Sequence, residues 1–483
     1  MRALEQLAEC KGEFGREAAR RTCALLEKVA GMRFRAPAEL IRLHEIVLFL
    51  RAYPQSARVV KLADRILFSF AERLKGVDPE PFDHPEVAGI AGTVLSTNFS
   101  WEFAWTLAGW PGRDAQDIQI DWESYEHPER LGVLLGWQIP MAYEDWAVEP
   151  HVDWRAWFEA AKCSLRWVLE KSNHPRTYDM FEIPLRWDLS DSWASRSRLR
   201  LGGRNHFYHE GPFVKRKDVS VEAAFLEPVI PTKRLSARQG SIVVGAILAA
   251  SASRYRELYG FQFADEEYVH YADLGRGVEL YWFGVIRERR LPMRAYHCGM
   301  FFKNGVPIGY VETLSLFERA EVGFNLFYTF RDGETAWLYA RMLKFIHEQL
   351  GVTCFSIDPY QIGHENEEAI ESGAFWFYYK LGFRPASKEN ARVAEREAER
   401  IAKTPGYRTP AGVLRKLAVS PIFYGETAGD WAGFSLRRLG TKIPDMGEDV
   451  ARAKRGAEEV RYLRMIQGRP ELRRKILVLG GSK

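Results

Sequence analysis

At 483 residues, with 46% hydrophobic and 27% charged side chains, the chain has the makeup of a globular protein of two or three domains and not of a disordered or fibrous one. A net charge of +4, from 68 basic and 64 acidic residues, gives no global electrostatic case for nucleic acid or a membrane surface. Five scattered cysteines form no CxxC pair, the amphipathic start lacks the apolar core of a signal peptide, and no stretch reaches the ~18 consecutive apolar residues of a membrane span, so a cytoplasmic protein without a zinc site or disulfide framework is expected.

In chain order, residues up to about Gly76 fall near helical spacing. Leu43, Ile46, Val47 and Leu50 form an apolar stripe that stops before Pro54, and Val59, Leu62, Ile66, Leu67, Phe70 and Leu74 form another, which predicts antiparallel helices joined by short loops. Residues 118–122 alternate like a strand. Residues 125–130 read as a loop opening a helix, with His127 a surface or capping histidine and a ligand or base as the alternative. Residues 154–171 predict one amphipathic helix with Trp157, Ala160, Ala161, Leu165 and Val168 inward. The stretch 184–217 is irregular. Its Arg196, Arg198, Arg200 and Arg204, near His206, His209 and Gly202-Gly203, can hold an anion, but no strand–loop–helix order surrounds them and a solvated linker or hairpin is the preferred reading. The high aromatic content, 15 Trp included, reads first as large aromatic cores and second as stacking surfaces for a ligand.

Residues 240–258 predict a helix. Residues 295–302, the Asn304-Gly305 turn and Val306–Leu316 predict a hairpin, and 320–328 a third strand. Thr335–Leu350 reads as a helix ended by Gly351, followed by a buried strand at 352–358. A short, very aromatic helix from Ser372 stops at Gly382 and leads into a strand through Pro385. Gly275-Arg276-Gly277 is a turn, too short for a nucleotide loop. His364 with Glu365, Glu367, Glu368 and Glu371 reads as an acidic helix start, with a metal or cationic substrate as the alternative. Residues 386–403 predict an exposed charged helix. The remainder reads as helical, with basic residues Arg473, Arg474, Lys475 and Lys483 on a solvated face or, alternatively, a docking tail.

The element order from about 227 to 385, together with the Tyr-x-Lys-x-Gly-Phe run at 378–383, resembles the GNAT acyltransferase superfamily over roughly a third of the chain. The resemblance implies an α/β (α+β) multidomain protein: a mostly helical domain over 1–216, a GNAT-like mixed sheet flanked by helices over 217–388, and a helical C-terminal extension over 389–483. It implies acetyl-CoA or another acyl-CoA as co-substrate, no metal, and an amine acceptor on a small molecule, peptide or protein. Tyr378 is the implied acid that protonates the departing thiolate, since a phenol with a pKa near ~10 stays protonated at neutral pH. Glu312 and Glu321 are the candidate bases. Phe327, Tyr328, Arg331, Gly333, Thr335 and Ala336 correspond to the phosphate-holding loop and helix start, and Asn366 to the pantetheine contact. The loop departs from the family pattern Gln/Arg-x-x-Gly-x-Gly/Ala in either register, and Asp332 and Glu334 add negative charge where a diphosphate would lie. The same resemblance leaves two alternatives: a catalytically silent ligand- or protein-binding module, and an aminoacyl-tRNA-dependent transferase that would use the arginines at 196–204.

Overall fold

The computed structural model describes residues 2–110, 118–127, 129–132, 154–160, 162–172, 174–202, 205–425, 428–431, 433–439 and 457–469. The chain folds into two compact units, one of Met1–Pro212 with Ser241–Gln262 and Phe302–Pro307, the other of Phe213–Gly240, Phe263–Phe301 and Ile308–Lys483. The protein is thus mixed α/β, but its units interleave along the sequence where a sequential division at about 216 and 388 is predicted.

The first unit begins with helices α1 (Arg2–Glu9), α2 (Gly15–Ala30), α3 (Pro37–Ala52), α4 (Ala57–Phe68) and α5 (Phe70–Arg73). Pro37 pre-sets the first turn of α3, and the Ser56 hydroxyl caps α4 by accepting from the Val59 N–H. The stripes read from the sequence are buried, Leu43, Val47, Leu50 and Leu67 completely. A three-stranded antiparallel sheet follows, ordered β1 (Val94–Thr97), β3 (Leu185–Asp188), β2 (Ile118–Ile120), with α6 (Trp101–Ala108), α7 (Trp154–Ala160), α8 (Leu165–Ser172) and α9 (Pro175–Phe181). The single helix predicted over 154–171 is therefore two. Lys162 turns left-handed (φ 51°), and the Ser164 hydroxyl accepts from the Trp167 N–H to start the second helix. His127 sits beside Glu182 (3.2 Å) on the surface.

The arginine stretch corrects another expectation. Around Arg196 and Arg200 it is part of the core and not a solvated linker: the Arg196 side chain is buried and donates to Glu45 (3.0 Å) and the Glu86 carbonyl (2.7 Å), while Arg200 and Arg51 share Asp64 (3.2 and 2.8 Å), and Arg198 stays half-buried beside Asp191. Acids on α3 and α4 supply the countercharge that lets these guanidinium groups leave water. Pro128, Ala161, Gly203, Arg204 and the basic residues Arg473, Arg474, Lys475 and Lys483 lie outside the described residues.

The second unit is built on a nine-stranded mixed sheet. Its elements are α10 (Val221–Leu226), β4 (Thr232–Arg234), α11 (Ala237–Ala252) and α12 (Tyr259–Gln262), both largely counted with the first unit, β5 (His270–Gly275), β6 (Val278–Gly284), β7 (Ala295–Lys303), β8 (Val306–Leu316), β9 (Arg319–Leu326), α13 (Thr335–Leu350), β10 (Cys354–Ile357), α14 (Glu367–Ser372), α15 (Ala374–Tyr379), β11 (Arg384–Pro385), α16 (Lys388–Lys403), α17 (Ala411–Leu417), β12 (Ile422–Tyr424), α18 (Ala428–Trp431) and α19 (Ala457–Gly468). The strand order is β11-β12-β10-β9-β8-β7-β6-β5-β4. The β7–β8 turn has positive φ at both Asn304 (49°) and Gly305 (81°), the backbone that Asn-Gly adopts most readily. Gly351 ends α13 in the left-handed conformation (φ 66°).

Three expectations change here. The helix predicted over 240–258 stops at Ala252, and Tyr255 is left-handed (φ 55°). The aromatic helix is broken at Gly373 (φ 67°), which closes α14 before α15 begins. The stretch after 388 is not purely helical, because Ile422–Tyr424 is a strand inserted between β10 and β11.

On β9, Ala320, Val322 and Phe324 face α13, with the Phe324 ring 5.2 Å from that of Tyr339. The opposite face, with Leu316 and Cys354, is covered by Phe423, Trp431, Phe434, Leu436, Leu439 and Tyr462. Arg319 is buried there and donates to the Trp431 and Phe434 carbonyls (3.2 and 2.7 Å) and to Ser356. Among the described residues no helix is long and apolar enough to cross a membrane.

Candidate functional site

β9 and β10 are parallel strands joined by the crossover helix α13, and a gap opens between them. β10 pairs with β9 for only three rungs, Cys354 with Arg319, Phe355 with Ala320 and Ser356 with Glu321, whereas β8 accompanies β9 as far as Leu326. Beyond Glu321 the edge of β9 thus loses its partner strand, and buried peptide groups left unpaired are costly. The side-chain amide of Gln361 takes the missing strand's place. It donates to the Val322 carbonyl (3.1 Å) and accepts from the Phe324 N–H (3.3 Å).

Tyr378 donates its hydroxyl to the same Gln361 oxygen (3.2 Å). Its ring is packed by Tyr339 and Phe383, with centroids 5.5 and 5.9 Å away. Burial pushes the phenol pKa well above its ordinary value, so it stays protonated across the neutral range.

The two candidate bases lie on the face of the sheet opposite α13, on neighbouring strands. Leu314 pairs with Glu321 and Glu312 with Gly323, which sets the carboxylates one diagonal step apart. Glu312 accepts a short hydrogen bond from the Tyr296 hydroxyl. Glu321 is buried, and burial raises its pKa while Arg437, at 2.6 Å, opposes the rise. Arg437 also reaches Asp358 (2.9 Å) at the end of β10. Tyr378 thus meets Gln361 on the α13 side of the parting, while Glu321 lies on the opposite face, on the last rung that β9 shares with β10.

The loop between β9 and α13 is more self-contained than the resemblance implies. The Phe327 N–H donates to the Ile308 carbonyl (3.0 Å) and the Gly333 N–H to the Phe330 carbonyl (3.1 Å), so neither is free to orient a donor. The Tyr328 side chain is exposed and stacks with Arg331 (5.6 Å), which pairs with Glu368 (2.6 Å). The Thr335 hydroxyl donates to the Arg331 carbonyl (3.1 Å), and Ala336 is buried in the first turn of α13. Asn366 is a cap: its carbonyl oxygen accepts from the Ala369 N–H (3.2 Å) and its amide donates to the Tyr360 carbonyl (3.1 Å). Glu334, which sequence reading counted against an anion, is buried and doubly paired with Arg276 (2.6 and 2.9 Å) from the β5–β6 turn, so its charge is neutralised. Glu367 is likewise held by Arg415 (2.8 Å). Among the described residues no group of three or more His, Cys, Asp or Glu is arranged to hold a metal.

Gln361, Arg437 and Arg276 are the residues that sequence reasoning missed. No local pattern marks Gln361, whose role exists only because two strands part beside it. Arg276 lay in the Gly-Arg-Gly turn, where the signal was the turn and not the charge. No family model matches this chain, and no curated protein and no solved structure matches it either.

Proposed function

We propose that the second unit is a GNAT-like acyltransferase that moves an acyl group from acyl-CoA, or another acyl carrier, to an amine. The observation that carries this reading is the parting of parallel β9 and β10 after three rungs, with a buried, protonated phenol directed at the gap. The pantetheine arm of CoA contains two amides. Laid in the gap, it takes over the Val322 and Phe324 backbone groups from Gln361 and releases the Tyr378 hydroxyl. The start of α13 directs its positive end at the diphosphate, and Arg276 neutralises Glu334, one of the two acids beside that helix start.

In the reaction the amine nitrogen attacks the thioester carbonyl carbon. The C–N bond forms, the C–S bond breaks, Glu321 or Glu312 takes the proton from nitrogen, and Tyr378 gives one to the departing sulfur. Holding both reactants at the gap supplies most of the rate gain. The test is release of CoA from acetyl-CoA and longer acyl-CoAs in the presence of a panel of primary amines, polyamines and peptides. Tyr378→Phe lowers kcat by about 10²–10⁴-fold with donor binding retained. Absence of turnover with every donor and amine overturns the proposal.

A second reading, a catalytically silent binding module of the same fold, is favoured by the internal use of the Phe327 and Gly333 amides and by Gln361 already filling the gap. It predicts no binding of any CoA species.

A further inference from the structure

A second concavity lies at the turn end of the β8–β9 ladder, away from the gap. It is a cleft of about 1020 Å³ walled by the lower ends of β6 and β7, the segment 290–294, the β8–β9 turn and the last turn of α13. That volume is at the upper limit of ordinary small-molecule sites, ~300–1,000 Å³. One wall is an aromatic pair: the rings of Trp282 and His297 stack on each other with centroids 5.5 Å apart and planes 8° from parallel, Trp282 buried and His297 partly exposed. Tyr268 and Phe317 add further aromatic wall, and Arg290 and Arg294 bring two guanidinium groups. The one acid in the lining, Asp265, lies 3.9 Å from Arg290.

Two polar atoms of this wall are buried without a hydrogen-bond partner, Nδ1 of His297 and Nε of Arg294. Buried polar groups nearly always have partners, so each marks a place where a protein, water or ligand group is missing. Burial, with Arg290 and His270 nearby, holds the His297 pKa down at about 4, so the imidazole is neutral at pH 7. The lining sets two guanidinium groups against the single carboxylate of Asp265, with Glu459 and Glu321 acting on Arg294 from outside the lining, so the cleft wall itself carries an excess of positive charge that an incoming anion can meet.

We infer that this cleft binds a flat aromatic ring bearing a carboxylate or a phosphate, the ring lying against His297 and the aromatic walls of Tyr268 and Phe317 and the anion meeting Arg294 and Arg290. The cleft touches the proposed acyl-transfer site only through Tyr296, whose hydroxyl donates to Glu312, and through the charge of Arg294 beside Glu321, and its test uses no acyl donor.

The experiment is calorimetric titration of the full chain with indole-3-acetate and adenosine 5′-monophosphate as anionic probes, with indole and adenosine as neutral controls. The expected result is binding of at least one anion with Kd below ~1 mM, and its neutral counterpart at least ~10-fold weaker. Which of the two anions binds assigns the carboxylate or the phosphate source. Arg290→Ala, at a side chain that is largely exposed and safe for folding, weakens the anion about tenfold and leaves the neutral control unchanged. Bound anion also raises the His297 pKa, read by NMR, by about one unit, the linkage counterpart of a tenfold preference for the protonated ring. Equal binding of charged and neutral probes, or no binding of either anion at millimolar concentration, overturns the inference.

Discussion

Gln361 shows how one side chain can stand in for a strand. Its amide meets a backbone carbonyl and N–H that β10 leaves behind, and it also anchors Tyr378. Gln361→Ala strips three polar groups of a partner at once and should lower stability by about 2–4 kcal/mol in urea unfolding, at ~1–3 kcal/mol for each buried group that water cannot reach. A change below ~0.5 kcal/mol would mean that the gap is wet. His297 gives a pH signature. Its folded pKa of about 4 lies below the ordinary value of 6.5, so its contribution is fully present above pH 6.5 and is lost as pH falls toward 4. That share is at most about 3 kcal/mol. His297→Gln should flatten the stability profile over this window, measured by denaturant midpoints at stepped pH. At this scale the place of Tyr378 near the end of a helix was legible, because a helix-ending Tyr-x-Lys-x-Gly-Phe run is a local pattern. The Asn-x-x-Ala spacing at Asn366 is also the spacing of a helix cap, which is the role its side chain takes here.

Elements with strong local punctuation were readable from the sequence. Asn304-Gly305 fixed the hairpin, and Gly351 fixed the end of α13, because positive φ demands those residues. β12 was not readable. Ile422, Phe423 and Tyr424, between Pro421 and Gly425, are too few to show a period, and their pairing with β10 and β11 is a tertiary fact. Gly425 permits that insertion: its positive φ (118°) is one that side chains rarely allow, and a methyl group there would run into the Thr353 carbonyl. Gly425→Ala should therefore cost more than ~2 kcal/mol in thermal or urea unfolding, against well under ~1 kcal/mol for Gly412→Ala, where a methyl meets nothing. The cover over the opposite face of the sheet depends on Arg319 in a similar way. Arg319→Met leaves the Trp431 and Phe434 carbonyls without a donor, and the predicted loss is about 2–4 kcal/mol with faster proteolysis in the segment 428–439.

At the scale of the whole chain, sequence pattern pointed to a mixed α/β class, but not to how the chain is shared between two compact units. The first unit takes back Ser241–Gln262 and Phe302–Pro307 after the second has begun. Asn304 shows why the hairpin tip belongs there, donating to the Ala52 carbonyl (2.8 Å) and accepting from the Phe207 N–H (2.8 Å). A sequential reading cannot see such exchanges, since hydrophobic periodicity reports which residues are inside and not which core they join. The arginines at 196–200 are the same lesson in charge. They read as a loop feature, yet their partners Glu45 and Asp64 lie more than a hundred residues earlier.

The proposal that an acyl-CoA occupies the gap between β9 and β10 is tested most directly by thermal unfolding of the full chain with acetyl-CoA, longer acyl-CoAs and free CoA. A donor present at ~100 times its Kd adds about 2.7 kcal/mol and raises the midpoint. The predicted result is a rise with at least one acyl-CoA that is diminished by Gly333→Glu, which adds a negative charge at the start of α13. An unchanged midpoint with every CoA species at millimolar concentration would contradict the account.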